Sequence, residues 1–577
     1  MMIRRFARGR HRFVSTSATL AVSLSIATGG VTFIGVTATP AWGIGCASGP
    51  FAGGAGTTGD PYLLATGAQL RSVGADPSCW ESAFALTGSI DLAAYSAGAG
   101  WTPIGNAGAP FRGSFDGRWH SITGLVISDA TLDDAGLFGV IEGATPAARA
   151  SVTSLTITSG NISGRANVGA LAGRVESADI TSVTASGSVS AGGTASGGLI
   201  GQLGAPAKGA TVTNSSSSVV VTASGQSAGG LVGVLNSGSS LEASSSSGAV
   251  TSSASTVGGL VGAAGGSVAS SHATGNVTST AGAGSANAGG LAGSSSSTIT
   301  SSYATGFVAA QRPSIGGLVG STSGSITNAT ASGSVTGVGV AATNVGGLVG
   351  WFNMGGLIER SFSTGAVSGS SAVGGLIGRV TQSPVSNAYS RGVVTGMSDV
   401  GGAIGVLDNP SVGSLSYAYA TGAVSAVGAP VGGLVASGSP VTSSLWNSQS
   451  TGQALSAGGG GAASTTQMMM ASSYPGWSLV AGVTSATTWG ICPALNDGYP
   501  FLQWFAIQEG WSCAFGAPPA ASLPTPQFLS YGRTSSDEVC EATWRPSWAM
   551  WMNNGTGGFT CDRTYVYDSA MGVWRYV

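Results

Sequence analysis

Gly316-Gly317-Leu318-Val319-Gly320 decides the fold of this chain, because the same phrase returns with small variations along most of its length. It opens as Gly136-Leu137-Phe138-Gly139, closes again at Gly173, Gly201, Gly233, Gly262, Gly293, Gly320, Gly350, Gly378 and Gly405, and ends in a degenerate copy at Val431 to Ala436. Successive copies lie between 27 residues (Gly293 to Gly320) and 34 residues (Gly139 to Gly173) apart. A near-constant period of that length marks a solenoid or array, in which each unit buries its apolar face against its neighbours.

Between these copies runs a second phrase, seen as Ser271-His272-Ala273-Thr274-Gly275-Asn276-Val277, Ser302-Tyr303-Ala304-Thr305-Gly306-Phe307-Val308 and Tyr419-Ala420-Thr421-Gly422-Ala423-Val424. A shorter apolar signal precedes it, as in Thr298-Ile299 and Ser325-Ile326. Each unit therefore offers two or three short strands punctuated by Gly and Ser turns, and no helical periodicity fits between them. The pattern predicts an all-β parallel β-helix of about eleven coils, with Leu, Ile and Val stacked inward and Ser and Thr facing outward or capping turns. At a strand spacing of about 4.8 Å such a stack is on the order of 50 Å long. A β-propeller shares the period, but usually has only four to eight blades.

Composition agrees with an ordered repetitive β structure. Of 577 residues, 98 are Gly and only 7% are charged, whereas a disordered chain would carry more charge and fewer aliphatic residues. A net charge of −2 without a Lys/Arg cluster in the body of the chain gives no footprint for nucleic acid. Arg4, Arg5, Arg8, Arg10 and Arg12 precede an apolar run from about Leu20 to Val36 and then small residues, the order of a secretory signal peptide over 1–41. An uncleaved anchor is the alternative. Beyond it no apolar stretch of about 18 residues suggests a membrane span, so the expected location is outside the cell or held on its surface.

All six cysteines follow the signal in three close pairs: Cys46 with Cys79, Cys492 with Cys513, and Cys540 with Cys561. Sequential pairing is the simplest of the 15 connectivities that six cysteines in an exported chain allow. The organisation read from the sequence is a signal (1–41), an N-terminal cap with first coils (42–135), the repeat β-helix (136–436), a C-terminal cap (437–514), a Pro-rich linker (515–526) and a small Trp-rich module (527–577). Caps are expected because open β edges invite pairing with other chains.

The repeats resemble the GLUG motif of bacterial surface and secreted proteins, named for Gly-Leu-any-Gly. The lead-in phrases Gly59-Asp60-Pro61-Tyr62-Leu63, Trp101-Thr102-Pro103-Ile104-Gly105 and Gly113-Ser114-Phe115-Asp116-Gly117 look like the coils that precede such repeats. Gly498-Tyr499-Pro500-Phe501-Leu502 is similar to their closing segment. The likeness runs from about 55 to 505. It implies a right-handed parallel β-helix of the kind found in adhesin-like proteins and beside the catalytic domain of immunoglobulin-A metallopeptidases, and no shared catalytic residues. Residues 545–561 look like a short module appended to secreted actinobacterial proteins.

Chemistry is sparse. The metallopeptidase pattern needs two His around a Glu, yet the chain has only His11, His120 and His272 and no His-Glu-x-x-His. The latter two read as structural residues. Polysaccharide lyases and glycoside hydrolases also use β-helices, and would need paired carboxylates or a base with a charge-neutralising cation. The acids of the repeats (Glu176, Asp179, Glu242, Glu359, Asp399 and Asp408) are scattered through the period, and the pairs Asp133-Asp134 and Asp537-Glu538 read as solvated turns. No catalytic residue, metal ligand or cofactor site is assigned, and no cofactor is expected. The expected role is adhesion or extracellular binding of a cell-wall glycan or another cell's surface, the alternative being a polysaccharide-degrading enzyme. Candidate ligand-stacking residues are Trp544, Trp548, Trp551 and Trp574 in the tail, which could equally be a small core. Tyr303, Phe307, Trp351, Phe352 and Phe362 are candidates along the rod.

Overall fold

A computed structural model describes residue 46, residues 49–513 apart from 281–285 and 409–413, and the backbone of five short strands between 548 and 576. One coil shows how the repeat folds. Ser314–Gly316 forms a strand of one sheet, the chain turns at Gly317 and Leu318, and Val319–Thr322 forms a strand of a second. Ile326–Thr327, Thr330–Ala331 and Val335–Gly337 then cross a third, larger sheet before Asn344–Gly346 restarts the cycle one coil on. Pairing between coils is parallel throughout and in register: Ile315 faces Val345, Val319 faces Val349, Ile326 faces Ile358 and Val335 faces Val367. The sheet containing Val319 has 11 strands, from Phe138–Glu142 to Val435–Gly438, close to the coil number read from the sequence.

The recurring phrase is the corner of this coil. Ile315, Leu318 and Val319 are fully buried, so apolar side chains enter the core from both sides of the bend; burying such a side chain contributes about 1.5–3 kcal/mol. A Cβ on Gly317 would overlap the Gly347 carbonyl of the next coil and lie 3.1 Å from the Ala331 Cβ across the core. The small residue of the second phrase is therefore explained by the glycine opposite it: Ala273, Ala304, Ser363, Ser390 and Ala420 face Gly259, Gly290, Gly347, Gly375 and Gly402 in the same way.

Not all Ser and Thr point outward. Each coil bends on the large sheet at one residue in the left-handed region, from Ser154 through Asn214, Ala243, Ser270, Ser301, Asn328 and Arg360 to Ser443. The next residue is often a fully buried Ser. The Ser271 hydroxyl donates to the Ala269 carbonyl (2.7 Å) and accepts the Ser244 N–H of the preceding coil (3.1 Å). Ser215, Ser244, Ser302, Ser361 and Ser444 repeat the pattern. The sequence reading placed Ser outside the core. It missed this ladder because a buried hydroxyl is tolerated only with both partners in place, and those partners are backbone groups that leave no side-chain signature.

At the N-terminal end Phe84, Phe111, Phe115 and Phe138 fill the first coils, Cys46 is bonded to Cys79, and helix Gly67–Ala75 begins in a capping box at Thr66. At the other end Trp446 takes the inner place that Ala420 holds one coil earlier and closes the core. Segment 437–514 does more than close the stack. Val441–Asn447 and Gly459–Ala463 add strands to the large sheet, after which the chain runs back along the outside of that sheet as a strap. Trp504 Nε1 donates to the Arg360 carbonyl at 2.8 Å and Trp489 Nε1 to Asn387 Oδ1 at 3.0 Å. The Cys492–Cys513 disulfide ties the strap to itself. The described strands of the C-terminal module are antiparallel: Thr564–Asp568 pairs with Trp548–Ala549 and with Val573–Tyr576, and Met552–Asn553 pairs with Phe559–Thr560.

Candidate functional site

The second phrase places three residues in succession: one outward, one inward and one outward, by the two-residue period of a strand. Stacking in register turns the first outward position into a row along the large sheet. Its members are Thr156, Thr184, Ser216, Ser245, His272, Tyr303, Thr330, Phe362, Tyr389 and Tyr419. The row has three regimes. From Thr156 to Ser245 it is hydroxyl-bearing and small. His272 and Tyr303 then form a parallel stack with ring centroids 4.6 Å apart and planes within 5°. Beyond Thr330, Phe362, Tyr389 and Tyr419 continue as a stack at 4.5 and 4.9 Å.

The strap covers only this last regime. Phe505 meets the edge of Phe362, and Trp489 leans over Tyr389 and Tyr419 at 6.1 and 6.0 Å. The Tyr419 hydroxyl donates to the Pro500 carbonyl (2.7 Å) and accepts from Asn496 (2.9 Å). Burial pushes the Tyr389 and Tyr419 phenols up, so both stay protonated. Burial acts to lower the Arg391 guanidinium, but Tyr419 and Asp497 outweigh it and raise it; Arg391 pairs with Asp497 and lies 5.2 Å from the Tyr499 ring centre.

Where the row is small, a shallow trough of about 270 Å³ opens beside it, lined by Thr156, Thr184, Ser216, Ser245 and His272 on one side and Ser186, Ser218, Ser247 and Thr274 on the other. No Lys, Arg, Asp or Glu is among its lining residues. A second depression of about 370 Å³ lies over the 11-stranded sheet, with Val234, Ala263, Ser294 and Ser321 in its floor. It stops one coil short of Trp351, the register partner of Ser321, whose Nε1 donates to Thr381 Oγ1 at 3.1 Å. Trp119, 76% exposed, stands on a left-handed turn one coil before Thr156.

The sequence candidates are distributed unevenly over these features. Tyr303 belongs to the row beside the trough, Phe307 is half exposed, Trp351 is partly buried, Phe362 lies beneath the strap and Phe352 is fully buried in the core, unavailable to a ligand. His272 was read as structural and lines the trough. Cys46, Cys79, Cys492 and Cys513 pair sequentially; Cys540, Cys561, Trp544 and Trp551 lie outside the described residues. Trp548 and Trp574 fall in strands that each pair with Thr564–Asp568, with only their backbone described. The hydroxyl row and the strap were missed, since neither has a motif of its own. The row's signal was the changing first residue of the second phrase.

Asp133-Asp134 is not a solvated turn. Asp134 is buried against Arg174 (2.8 Å), which also reaches Glu176 (3.3 Å), while Lys208 bridges Glu142 (2.9 Å) and Glu176 (3.1 Å) from two successive coils. Asp133 pairs with Arg165. Hydrogen bonds from Glu142 and Glu176 raise the Lys208 ammonium; the Arg174 guanidinium is lowered by burial but raised overall by Asp134, Glu176 and Glu142. Cations held this firmly in their charged forms neutralise the carboxylates, and neither trough reaches the cluster. Among the described residues the one grouping with metal-ligand geometry is Cys46, Asp76 and Cys79, whose sulfurs are spent in a disulfide.

A corner phrase repeated in register around a packed interior defines a parallel β-solenoid repeat protein. Its repeat is the GLUG motif: residues 312–336, one coil including Gly316-Gly317-Leu318-Val319-Gly320, match the family described by that name. The chain is 42% identical over 93 residues to a provisionally named Gly-rich membrane protein of Evansella cellulosilytica, a match covering 16% of this chain and 11% of that one. It is 32% identical over 152 residues to halomucin of Haloquadratum walsbyi, covering 25% of this chain and 2% of the relative. These matches therefore span only a small part of either relative's length. A crystal structure of a provisionally assigned immunoglobulin A1 protease from Bacteroides ovatus is 20% identical, with TM-score 0.37, over 49% of this chain and 79% of the other. No helix among the described residues is long and apolar enough to cross a membrane.

Proposed function

We propose that this is an extracellular repeat protein, secreted or retained on the cell surface, that binds a cell-wall glycan or another cell's surface through its solenoid and performs no catalytic step. The observation that carries the reading is the open, uncharged, hydroxyl-lined trough on the large sheet, ending at a stacked aromatic pair. Small polar positions repeated at every coil suit many weak contacts, which gain strength together. The GLUG repeat and two relatives named as a membrane protein and a halomucin support a surface location. We assign surface attachment to the C-terminal module, 527–577.

The enzymatic alternative has one site in its favour, Glu142 and Glu176 facing Lys208. We read it as structural because each carboxylate is engaged by a cation. Both readings are tested by incubating the chain without its signal segment with bacterial cell walls and purified polysaccharides, measuring retained protein and soluble product in the same wells. Retention without product is expected. Released oligosaccharide that disappears in Glu176→Gln would overturn the non-catalytic reading.

A further inference from the structure

Resting on that binding role, we infer that the trough beside Ser216 and Ser245 is the ligand site, and that its ligand is a neutral polysaccharide lying along the solenoid axis with one sugar ring stacked on His272. The argument begins with the stack. His272 and Tyr303 are register partners one coil apart, and their rings are parallel at 4.6 Å, the spacing of the coils themselves. Their planes therefore lie across the solenoid axis, and the face of His272 turned from Tyr303 looks towards the next coil down. There the register partner is Ser245, too small to continue the stack. The trough is the volume that missing rings would have filled. A flat ring of similar thickness with an apolar face, such as a pyranose, completes it.

The strap shows that rings do pack against this row. Three coils farther on, where the row is Phe362, Tyr389 and Tyr419, the chain's own Phe505 and Trp489 lie against it. The open part of the row differs in offering hydroxyls in place of rings. Thr156, Thr184, Ser216 and Ser245 repeat at the coil spacing, with Ser186, Ser218 and Ser247 across the trough. Each hydroxyl can both donate and accept, which matches a polyhydroxylated chain crossing the coils. Absence of charge from the lining selects against polyanions: a uronate or sulfate ester would lose hydration with no cation to meet it.

The test measures binding of the chain without its signal segment to soluble neutral polysaccharides (a glucan, a mannan and a galactan) and, separately, to a polyuronate and a sulfated glycan. Ser245→Tyr adds the missing ring and fills the trough from within, a change the row already makes at Tyr303. His272→Ala removes the stacking face, and His272→Tyr keeps one. We expect a neutral glycan to bind, Ser245→Tyr and His272→Ala to weaken it at least about tenfold, and His272→Tyr to retain it, all with unchanged melting temperature. Neutral-glycan binding that both Ser245→Tyr and His272→Ala leave unaltered would overturn the site while leaving the surface-binding role intact. Binding of the anionic polymers alone would overturn the ligand class. Failure to bind any glycan or cell wall would remove the underlying role itself.

Discussion

Replacing Ser271 by Ala removes a hydroxyl that is fully buried and doubly used. It donates to the Ala269 carbonyl at 2.7 Å and accepts the Ser244 N–H at 3.1 Å. An ordinary hydrogen bond contributes about 1 kcal/mol net, but a buried donor left without an acceptor costs about 1–3 kcal/mol. The variant should therefore lose about 2 kcal/mol, concentrated at the junction of the coils containing Ser244 and Ser271. Coils are coupled mainly to their neighbours, so the loss is best read locally. Hydrogen–deuterium exchange in a peptide spanning 240–250 should accelerate by about thirtyfold, since about 1.4 kcal/mol is a factor of ten.

Two companion variants fix the interpretation. Ser247→Ala removes an exposed hydroxyl only three residues from Ser244 and should stay within about 0.5 kcal/mol of the parent. Ala329→Ser inserts a hydroxyl where the ladder is interrupted, opposite Ser302, and should stabilise the chain by about 1 kcal/mol. If Ser271→Ala exchanges no faster than Ser247→Ala, the buried hydroxyls carry no stability and the ladder is only a consequence of close packing.

Gly317→Ala should destabilise by about 1–3 kcal/mol through overpacking against Gly347 and Ala331, with a reduced urea midpoint as the readout. Ala243→Gly should do the opposite, by about 0.5–1 kcal/mol, because Ala243 holds a φ of 48° that glycine adopts without strain. Arg312 is fully buried, has no carboxylate partner, and burial lowers it to about 10; Arg312→Met should leave the melting temperature unchanged or raise it. Burial acts against the Asp179 carboxylate, yet hydrogen bonds from Arg149 and Thr211 with the Arg149 charge hold it below its usual range. A depressed folded value means stability that is present above the unfolded carboxylate range and lost as pH falls through the folded value. Asp179→Asn should therefore flatten the acid limb of stability against pH below about 4, measured by urea midpoints at several pH values.

The inward half of this fold is legible because its chemistry is repetitive. Leu318 and its equivalents must fill one core, and Gly317 must clear both Gly347 and Ala331, so corner and core positions recur at nearly every coil and advertise themselves. The buried Ser ladder is illegible for the opposite reason: Ser271 and Ser247 look alike in sequence, and only the backbone groups around each decide which is buried. The strap is illegible because Trp504 and Arg360 meet across 144 residues without any shared pattern.

The outward position is where the repeat is released from its own rule. Packing fixes Ala304 against Gly290, but nothing in the core dictates whether its outward neighbour is Ser, His, Tyr or Phe. Substitutions there change what the rod presents without disturbing what holds it together. In this chain the same position is a hydroxyl at Ser245, a half-buried ring at Tyr303 and a covered ring at Tyr419. Had the strap reached three coils farther, the His272 stack would be covered as the Tyr419 stack is. The chain instead turns back on itself only where the row is aromatic without interruption, and leaves the part with both rings and hydroxyls facing solvent.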